Sequence, residues 1–323
     1  MKEYQLSIIL PARNEEFLKQ TIDDILLHKE ADTEIIVGLD GAWATPQIPQ
    51  HPDVTVVFAG ESIGQRSITR LCAGISKAKY VIKVDAHCKF DQGFDRLLIE
   101  AFRKVGDNTV MVPIMKNLHV YDWKCHTCGK KVYQDVKPLC PKCATPMQKK
   151  MVWEERRGTR SFAYRFDSEP HFQYWNEYTK HPDYIKDLKE QSMTRTMSLQ
   201  GSFFMCTRER YFALDVDDES FGSWGNQGMS VACKFWLSGG QVLVLHTTWY
   251  AHCFRTKGDV FGFPYPQDPR VVQTTKRKIK DLFYTKSFSG QIHPLSWLIE
   301  KFSPVPGWTE TDIINLKKQE TFK

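Results

Sequence analysis

The first 115 residues alternate short apolar runs with amphipathic segments, and that alternation constrains the fold more than any other feature. Residues 6–10, 34–39, 54–58, 80–84 and 110–113 read as strands. Residues 11–15 read as a turn that opens a helix through about His28, with Phe17, Ile22, Ile25 and Leu26 forming its apolar stripe, and residues 64–79 and 94–104 read as further helices. Strands alternating with helices imply parallel βαβ units joined by right-handed crossovers, so the expected class is α/β. Gly64 opens its helix without a Gly-x-Gly-x-x-Gly pattern, so the dinucleotide fingerprint is absent.

The strand at 80–84 runs into Asp85-Ala86-His87. Side chains two apart leave a strand on the same side. In an open α/β sheet the carboxyl ends of strands are where ligands bind. A second histidine, His252, lies far downstream, before Cys253-Phe254-Arg255. One carboxylate and two imidazoles hold a divalent cation while leaving positions free for phosphate oxygens. The pattern points to a metal-dependent enzyme acting on a phosphorylated donor. The alternative is that Asp85 caps a turn and His87 lies on the surface.

The chain of 323 residues suffices for one large α/β domain with insertions. No stretch approaches the roughly 18–20 apolar residues that span a bilayer, so no membrane insertion is expected. The N-terminus lacks the apolar core of a signal peptide, and the expected location is cytoplasmic, the host cytoplasm if the chain is phage-encoded. The formal net charge of +6 permits a polyanionic partner without demanding one. The nine cysteines are an odd number, which argues against a disulfide framework. Cys72, Cys88, Cys206, Cys233 and Cys253 are expected to be small buried hydrophobes.

The other four form Cys125-x2-Cys128 and Cys140-x2-Cys143 in a lysine-rich block where the strand–helix alternation stops. Four thiolates close a tetrahedral structural zinc site with no open position. Gly129 and Pro141 suit the sharp bends it needs. The block is either a binding module or a metal staple for an insertion too small to fold alone. Lys124, Lys130, Lys131, Lys137, Lys142, Lys149 and Lys150 tilt it toward a polyanion. The expected division is 1–117 and 151–260 as two halves of one domain, 118–150 as the zinc ribbon, and 261–323 as a loop and basic helical tail.

Several segments together resemble the polypeptide N-acetylgalactosaminyltransferases of the GT-A superfamily. Val84-Asp85-Ala86-His87-Cys88 is similar to that family's Leu-Asp-Ala-His-Cys metal motif, and Asn14-Glu15 to its His-Asn-Glu-Ala opening. Ser223-Trp224-Gly225 through Lys234-Phe235-Trp236 to Gly240 is similar to its Trp-Gly-Gly-Glu-Asn…Arg-x-Trp-x-Cys-Gly-Gly block. Met197 to Met205 is similar to its Thr-Met-Ala-Gly-Gly-Leu-Phe segment. His252-Cys253-Phe254-Arg255 and Phe261-Gly262-Phe263-Pro264 are similar to its His-Val-Phe-Arg and the loop that follows. The resemblance covers most of 5–115 and 195–290. It implies a GT-A (Rossmann-like) fold and α-retaining transfer from a UDP-sugar, with manganese or another divalent cation on Asp85, His87 and His252. Trp224 and Arg255 would line the donor, Asp40 stands where the family holds the nucleoside, and Arg13 replaces the family's histidine. Asn226-Gln227 stand where the family has Gly-Glu, which places Gln227 in the catalytic set without an acid. The zinc block and the missing anchor and lectin domain depart from the family.

An inverting transferase needs a carboxylate base opposite the leaving group. Gly225-Asn226-Gln227-Gly228 offers none, which agrees with front-face transfer. Asp217, Asp218 and Glu219 read as a solvated acidic turn, and His246 as a strand-end or core residue. The acceptor expected here is a hydroxymethylpyrimidine in DNA, as in phage-type genome modification, because the block is basic and Arg156, Arg157, Arg160 and Arg165 interleave with Trp153, Phe162, Tyr164 and Phe166. A helix with an aromatic core face and a basic solvated face is the competing reading of that stretch, and Lys276-Arg277-Lys278-Ile279-Lys280 reads as a solvated helix face. A protein Ser/Thr or a surface glycan is the alternative acceptor. A non-enzymatic binding module would need the Asp-His-His set to take no metal.

Overall fold

The structure is a computed structural model and describes residues 3–134, 138–255, 262–263 and 269–321. Lys137, Phe261 and Pro264 lie outside the described residues. The chain opens with β1 (Leu6–Ala12), α1 (Leu18–His28), β2 (Thr33–Asp40), β3 (Val54–Ala59), α2 (Gln65–Ile75), β4 (Tyr80–Val84), β5 (Cys88–Phe90) and α3 (Phe94–Val105). It continues through β6 (Thr109–Cys125), β7 (Lys131–Tyr133), β8 (Met147–Glu155), β9 (Tyr164–Phe166), β10 (Phe172–Tyr174) and α4 (Pro182–Gln191). Then come β11 (Met193–Arg195), β12 (Phe203–Thr207), α5 (Arg208–Ala213), α6 (Gln227–Leu237) and β13 (Gln241–His252). The helices α7 (Pro269–Ile279), α8 (Leu295–Lys301) and α9 (Glu310–Thr321) close the chain.

The main sheet runs β11-β13-β6-β12-β4-β1-β2-β3. The strands β3, β2, β1 and β4 are parallel, as the alternation requires. Every residue of β1 and β4 is buried, because helices cover both faces. Gly38 of β2 lets α2 come close: a Cβ there would lie 2.7 Å from Ile68 Cγ1 and 2.8 Å from Cys72 Sγ. The run is interrupted at β12, which pairs antiparallel with β4 and β6, and parallel pairing resumes between β6 and β13. Strand β12 reaches its place from a loop rather than through a strand–helix–strand crossover, so the crossover rule does not bind it.

The strand expected at 110–113 is seventeen residues long. It leaves the main sheet and continues into the ribbon, where it pairs with β7 and β8. The limits at 117/118 and 150/151 therefore fall inside β6 and β8. Lys116, Asn117 and His119 interrupt the apolar pattern and hid this continuity. The stretch from 153 to 166 is not a helix with an aromatic face but the end of β8, a turn, and β9. The basic tail helix spans α7 followed by a π-helical turn, Lys280–Tyr284.

The main core fills the space between sheet and helices, and a second, smaller core ties the ribbon to the domain. Tyr121, Trp123, Cys125, Cys140 and Met147 from the ribbon side meet Phe17, Ala251 and Cys253 there. All nine cysteines are free thiols, and the five scattered ones are buried. Among the described residues no helix is long and apolar enough to cross a membrane.

Candidate functional site

A cleft of about 860 Å³ opens across the carboxyl ends of β1, β2 and β4. Asp85, His87 and His252 line it together. The meeting of residues so distant in sequence follows from strand register. β5 pairs antiparallel with the end of β13, so Cys88 lies opposite His252 and brings His87 beside it. Asp85 is held at the end of β4 by donating its backbone N–H to Ser202 O at 2.9 Å.

The ligand-type atoms converge. His87 Nε2 and His252 Nε2 are 3.1 Å apart, His252 Nε2 and Asp85 Oδ2 3.2 Å, and His87 Nε2 and Asp85 Oδ2 3.9 Å. The point equidistant from these three atoms lies about 2.0 Å from each, the bond length of a divalent metal to imidazole nitrogen and carboxylate oxygen. Three protein ligands with open positions is the arrangement of a reactive metal site. Burial pushes His252 down to about 4, so its ring is neutral and its lone pair is available near neutral pH.

Two residues around the set, Glu15 and Lys83, are not among the site residues expected from the sequence. His87 Nδ1 is 3.2 Å from Glu15 Oε2, so Glu15 accepts its N–H and turns Nε2 toward the cleft centre. Arg255 donates to the other oxygen of Glu15. Burial alone would push the Glu15 carboxyl up, but His87 and Arg255 hold it below the usual range. Lys83, only 1% exposed, donates to Asp85 Oδ1 at 2.5 Å and Gly201 O at 2.8 Å. Burial would likewise push Asp85 up, and the Lys83 ammonium and the His252 hydrogen bond hold it well below the carboxylate range. The available signal for Lys83 was its place two residues before Asp85, on the same side of the strand.

Asp40 is buried at the end of β2 and accepts from Ser62 Oγ at 2.8 Å and Ile63 N at 2.6 Å. Arg13 donates to Ser62 Oγ at 2.9 Å, extending the chain across the cleft floor. On the opposite wall, Trp224 is 36% exposed and stands edge-on to Phe263, with ring centroids 5.7 Å apart. The Arg255 guanidinium lies 5.5 Å over the same Phe263 ring and donates to Gly262 O. Arg66, buried in α2, holds this wall by donating to Gly222 O at 2.7 Å and Gly225 O at 2.6 Å.

Gln227 does not line the cleft. Its side chain is buried and donates to Asp217, which also accepts from Tyr211 Oη at 2.9 Å. Asp217 is thus no solvated turn residue: burial raises its carboxyl, partly offset by Arg66. His246 is a half-buried residue of β13 that meets Thr194 Oγ1 at 2.9 Å and packs on Phe162 and Tyr184. The aromatics expected to stack on an extruded base are spoken for. Tyr164 and Phe166 are core residues, Phe162 packs on Tyr184, and Trp153 donates to Asp24 at 3.1 Å.

The four ribbon cysteines form a second metal-type cluster. Their Sγ atoms lie 3.4 Å (Cys125–Cys143), 3.5 Å (Cys128–Cys140), 3.4 Å (Cys140–Cys143) and 3.6 Å (Cys128–Cys143) apart. A zinc tetrahedron with bonds of about 2.3 Å has edges of about 3.8 Å, close to these. The Thr145 hydroxyl and the Cys128 N–H push the Cys125 thiol down to about 5, toward the thiolate that zinc requires. The cysteines thus fit a zinc-ribbon insertion. In the ribbon sheet Lys131 faces Lys124, while Lys150 pairs with Asp122, so these lysines share its outer face.

The mixed sheet and the cleft at its carboxyl ends define a GT-A glycosyltransferase fold with an inserted four-cysteine ribbon. A model of glycosyl transferase family 2 matches residues 7–136. The chain is 22% identical over 228 residues to the putative polypeptide N-acetylgalactosaminyltransferase 13 of Drosophila melanogaster, covering 71% of this chain and 33% of that one. It is 28% identical over 110 residues to human N-acetylgalactosaminyltransferase 7, covering 31% of this chain and 17% of that one. A crystal structure of GalNAc-T7 with UDP, GalNAc and Mn2+ superposes with a TM-score of 0.64 at 13% identity, over 98% of this chain and 54% of that one. The chain is thus similar to the N-acetylgalactosaminyltransferases, and it spans a third or less of these curated relatives.

Proposed function

We propose that the protein is a metal-dependent glycosyltransferase that moves a sugar from a UDP-sugar to a hydroxyl of a protein side chain or glycan. One observation carries the reading: Asp85 Oδ2, His87 Nε2 and His252 Nε2 converge in the cleft with the spacing of a metal's ligands. The solved neighbour's bound UDP, GalNAc and Mn2+ support the same donor and metal. A divalent cation on these three residues supplies Lewis-acid stabilisation of a diphosphate leaving group.

The chain's own residues do the rest. Glu15 orients His87, and Lys83 orients Asp85. Asp40 and Arg13 brace the wall where the nucleoside would lie. Trp224 and Arg255 close the donor side through Phe263. Among the described residues lining the cleft, the carboxylates are Glu15, Asp40 and Asp85, and each is committed to partners. None is free to serve as the base of an inverting reaction, which supports retaining transfer in which the departing phosphate oxygen takes the acceptor's proton.

The names of the relatives favour a protein hydroxyl as acceptor, and the comparisons lend the DNA acceptor no support. One observation keeps DNA as the second reading, the lysines shared by the ribbon's outer face. The test is incubation with manganese and radiolabelled UDP-sugars, offering a Ser/Thr peptide pool or hydroxymethylated DNA. Label in the peptides, lost in His252→Ala, is the expected result. Label only in DNA would overturn the acceptor, and transfer undiminished in His252→Ala would overturn the site.

A further inference from the structure

We propose that Lys83 is a positioning residue that makes the metal affinity of the Asp85–His87–His252 set depend on the donor's diphosphate. The inference rests on the reading that this set holds the cation. Lys83 is buried in the central strand β4 and leaves it on the same side as Asp85. Its ammonium donates to Asp85 Oδ1 and to Gly201 O, while Asp85 Oδ2 faces the two imidazoles. Two consequences follow.

The first is geometric. With Oδ1 engaged by an ammonium at 2.5 Å, Asp85 offers the cation a single oxygen, and that oxygen's direction is fixed. The second is electrostatic. Asp85 is the one anion in the ligand set, and Lys83 cancels it. The neighbouring Glu15 carboxylate is paired with the Arg255 guanidinium, so the wall behind His87 is balanced too. An imidazole binds a metal only as the neutral ring, so as ligands the two histidines add no charge, and the carboxylate and the ammonium sum to zero. A cation at the centre of the set would share the Asp85 carboxylate with that ammonium, in a part-buried place where their repulsion is weakly screened. A nucleoside diphosphate brings the missing negative charge. The cation is then held tightly only together with the nucleotide, and by linkage the nucleotide is held tightly only with the cation. A lysine that merely filled space in β4 would leave this coupling untouched.

The experiment measures Mn2+ binding by electron paramagnetic resonance of the free ion, with and without UDP, and requires no turnover. Wild-type protein is expected to bind Mn2+ at least tenfold more tightly when UDP is present. Lys83→Met removes the charge with little change of volume. It is expected to bind Mn2+ alone at least tenfold more tightly than wild type, and to lose most of the UDP effect. Lys83→Arg keeps the charge and is expected to keep the wild-type pattern. If Lys83→Met unfolds, Lys83→Gln, which is neutral and keeps a polar donor, gives the same readout. A well-folded neutral variant that binds Mn2+ alone no better than wild type overturns the role of Lys83 and leaves the metal assignment standing. A wild-type protein that takes up no Mn2+ with or without UDP, or a His252→Ala protein that takes it up equally, overturns the metal assignment and the inference with it.

Discussion

Replacing Arg66 with methionine should release the wall of the cleft that carries Trp224. Arg66 is 2% exposed, and its guanidinium donates to the backbone carbonyls of Gly222 and Gly225, on either side of Trp224. Hydrogen bonds from a charged group contribute about 1.5–3 kcal/mol each. The loss extends further, because Arg66 also offsets the charge of fully buried Asp217. Two such bonds from one guanidinium, together with the longer-range offset to Asp217, put the loss at about 3–6 kcal/mol. For a chain of this size the drop corresponds to roughly 4–9 °C in melting temperature. Asp217→Asn removes the stranded charge, so the double variant should recover about 1–3 kcal/mol relative to the sum of the singles. Differential scanning calorimetry of wild type, both singles and the double closes the cycle. In parallel, KM for the UDP-sugar should rise in Arg66→Met, because Trp224 loses its fixed position. A fall of less than 1 kcal/mol, or strict additivity with Asp217→Asn, would refute this account of how the wall is held.

Other outcomes follow from the same structure. Elemental analysis should find one zinc per chain, and chelation or Cys125→Ser should expose the remaining ribbon thiols to a thiol reagent and lower stability, since Cys125 and Cys140 belong to the small core that reaches Ala251 and Cys253. Gly228→Ala should abolish folding or lower melting by more than about 6 °C, roughly 4 kcal/mol, because its Cβ would lie 1.9 Å from Leu199 O, whereas Gly74→Ala, with nothing within 4 Å, should be neutral or stabilising. His246 is pushed by burial down to about 4 from 6.5. Between those values the unfolded chain binds a proton that the folded chain refuses, so stability rises with pH across that window. Acidification from pH 7 to 5 should cost about 2 kcal/mol through this group. Thermal melts of wild type and His246→Phe at both pH values should show that difference disappear in the variant.

The sequence made much of this readable because the signals are short-range. The parallel run β1, β2, β3 and β4 follows from strand and helix periodicities within windows of a few residues. Asp85 and His87 follow from strand alternation, and the ribbon cysteines from their spacing. Reading failed where a polar residue interrupts a strand, as in β6, and where a polar stretch turned out to be buried. Asp217 looks like a surface turn beside Asp218 and Glu219, yet Tyr211 and Gln227 hold it inside. Gln227 was placed in the catalytic set by alignment with a motif, and its side chain turned inward to satisfy that carboxylate.

What the chain determined by itself is the inventory: an α/β sheet, a carboxylate and an imidazole at one strand end, a second imidazole on a later segment, and four thiols spaced for one ion. What the tertiary structure alone decided is who stands behind each of these groups. Lys83 behind Asp85, Glu15 behind His87 and Arg66 behind Trp224 depend on how helices and loops settle against the sheet, and two of these three contacts join residues more than 70 positions apart. Local periodicity encodes which face of a strand is apolar. It does not encode which buried polar group will answer which, because that choice is made only when burial removes water as the competing partner.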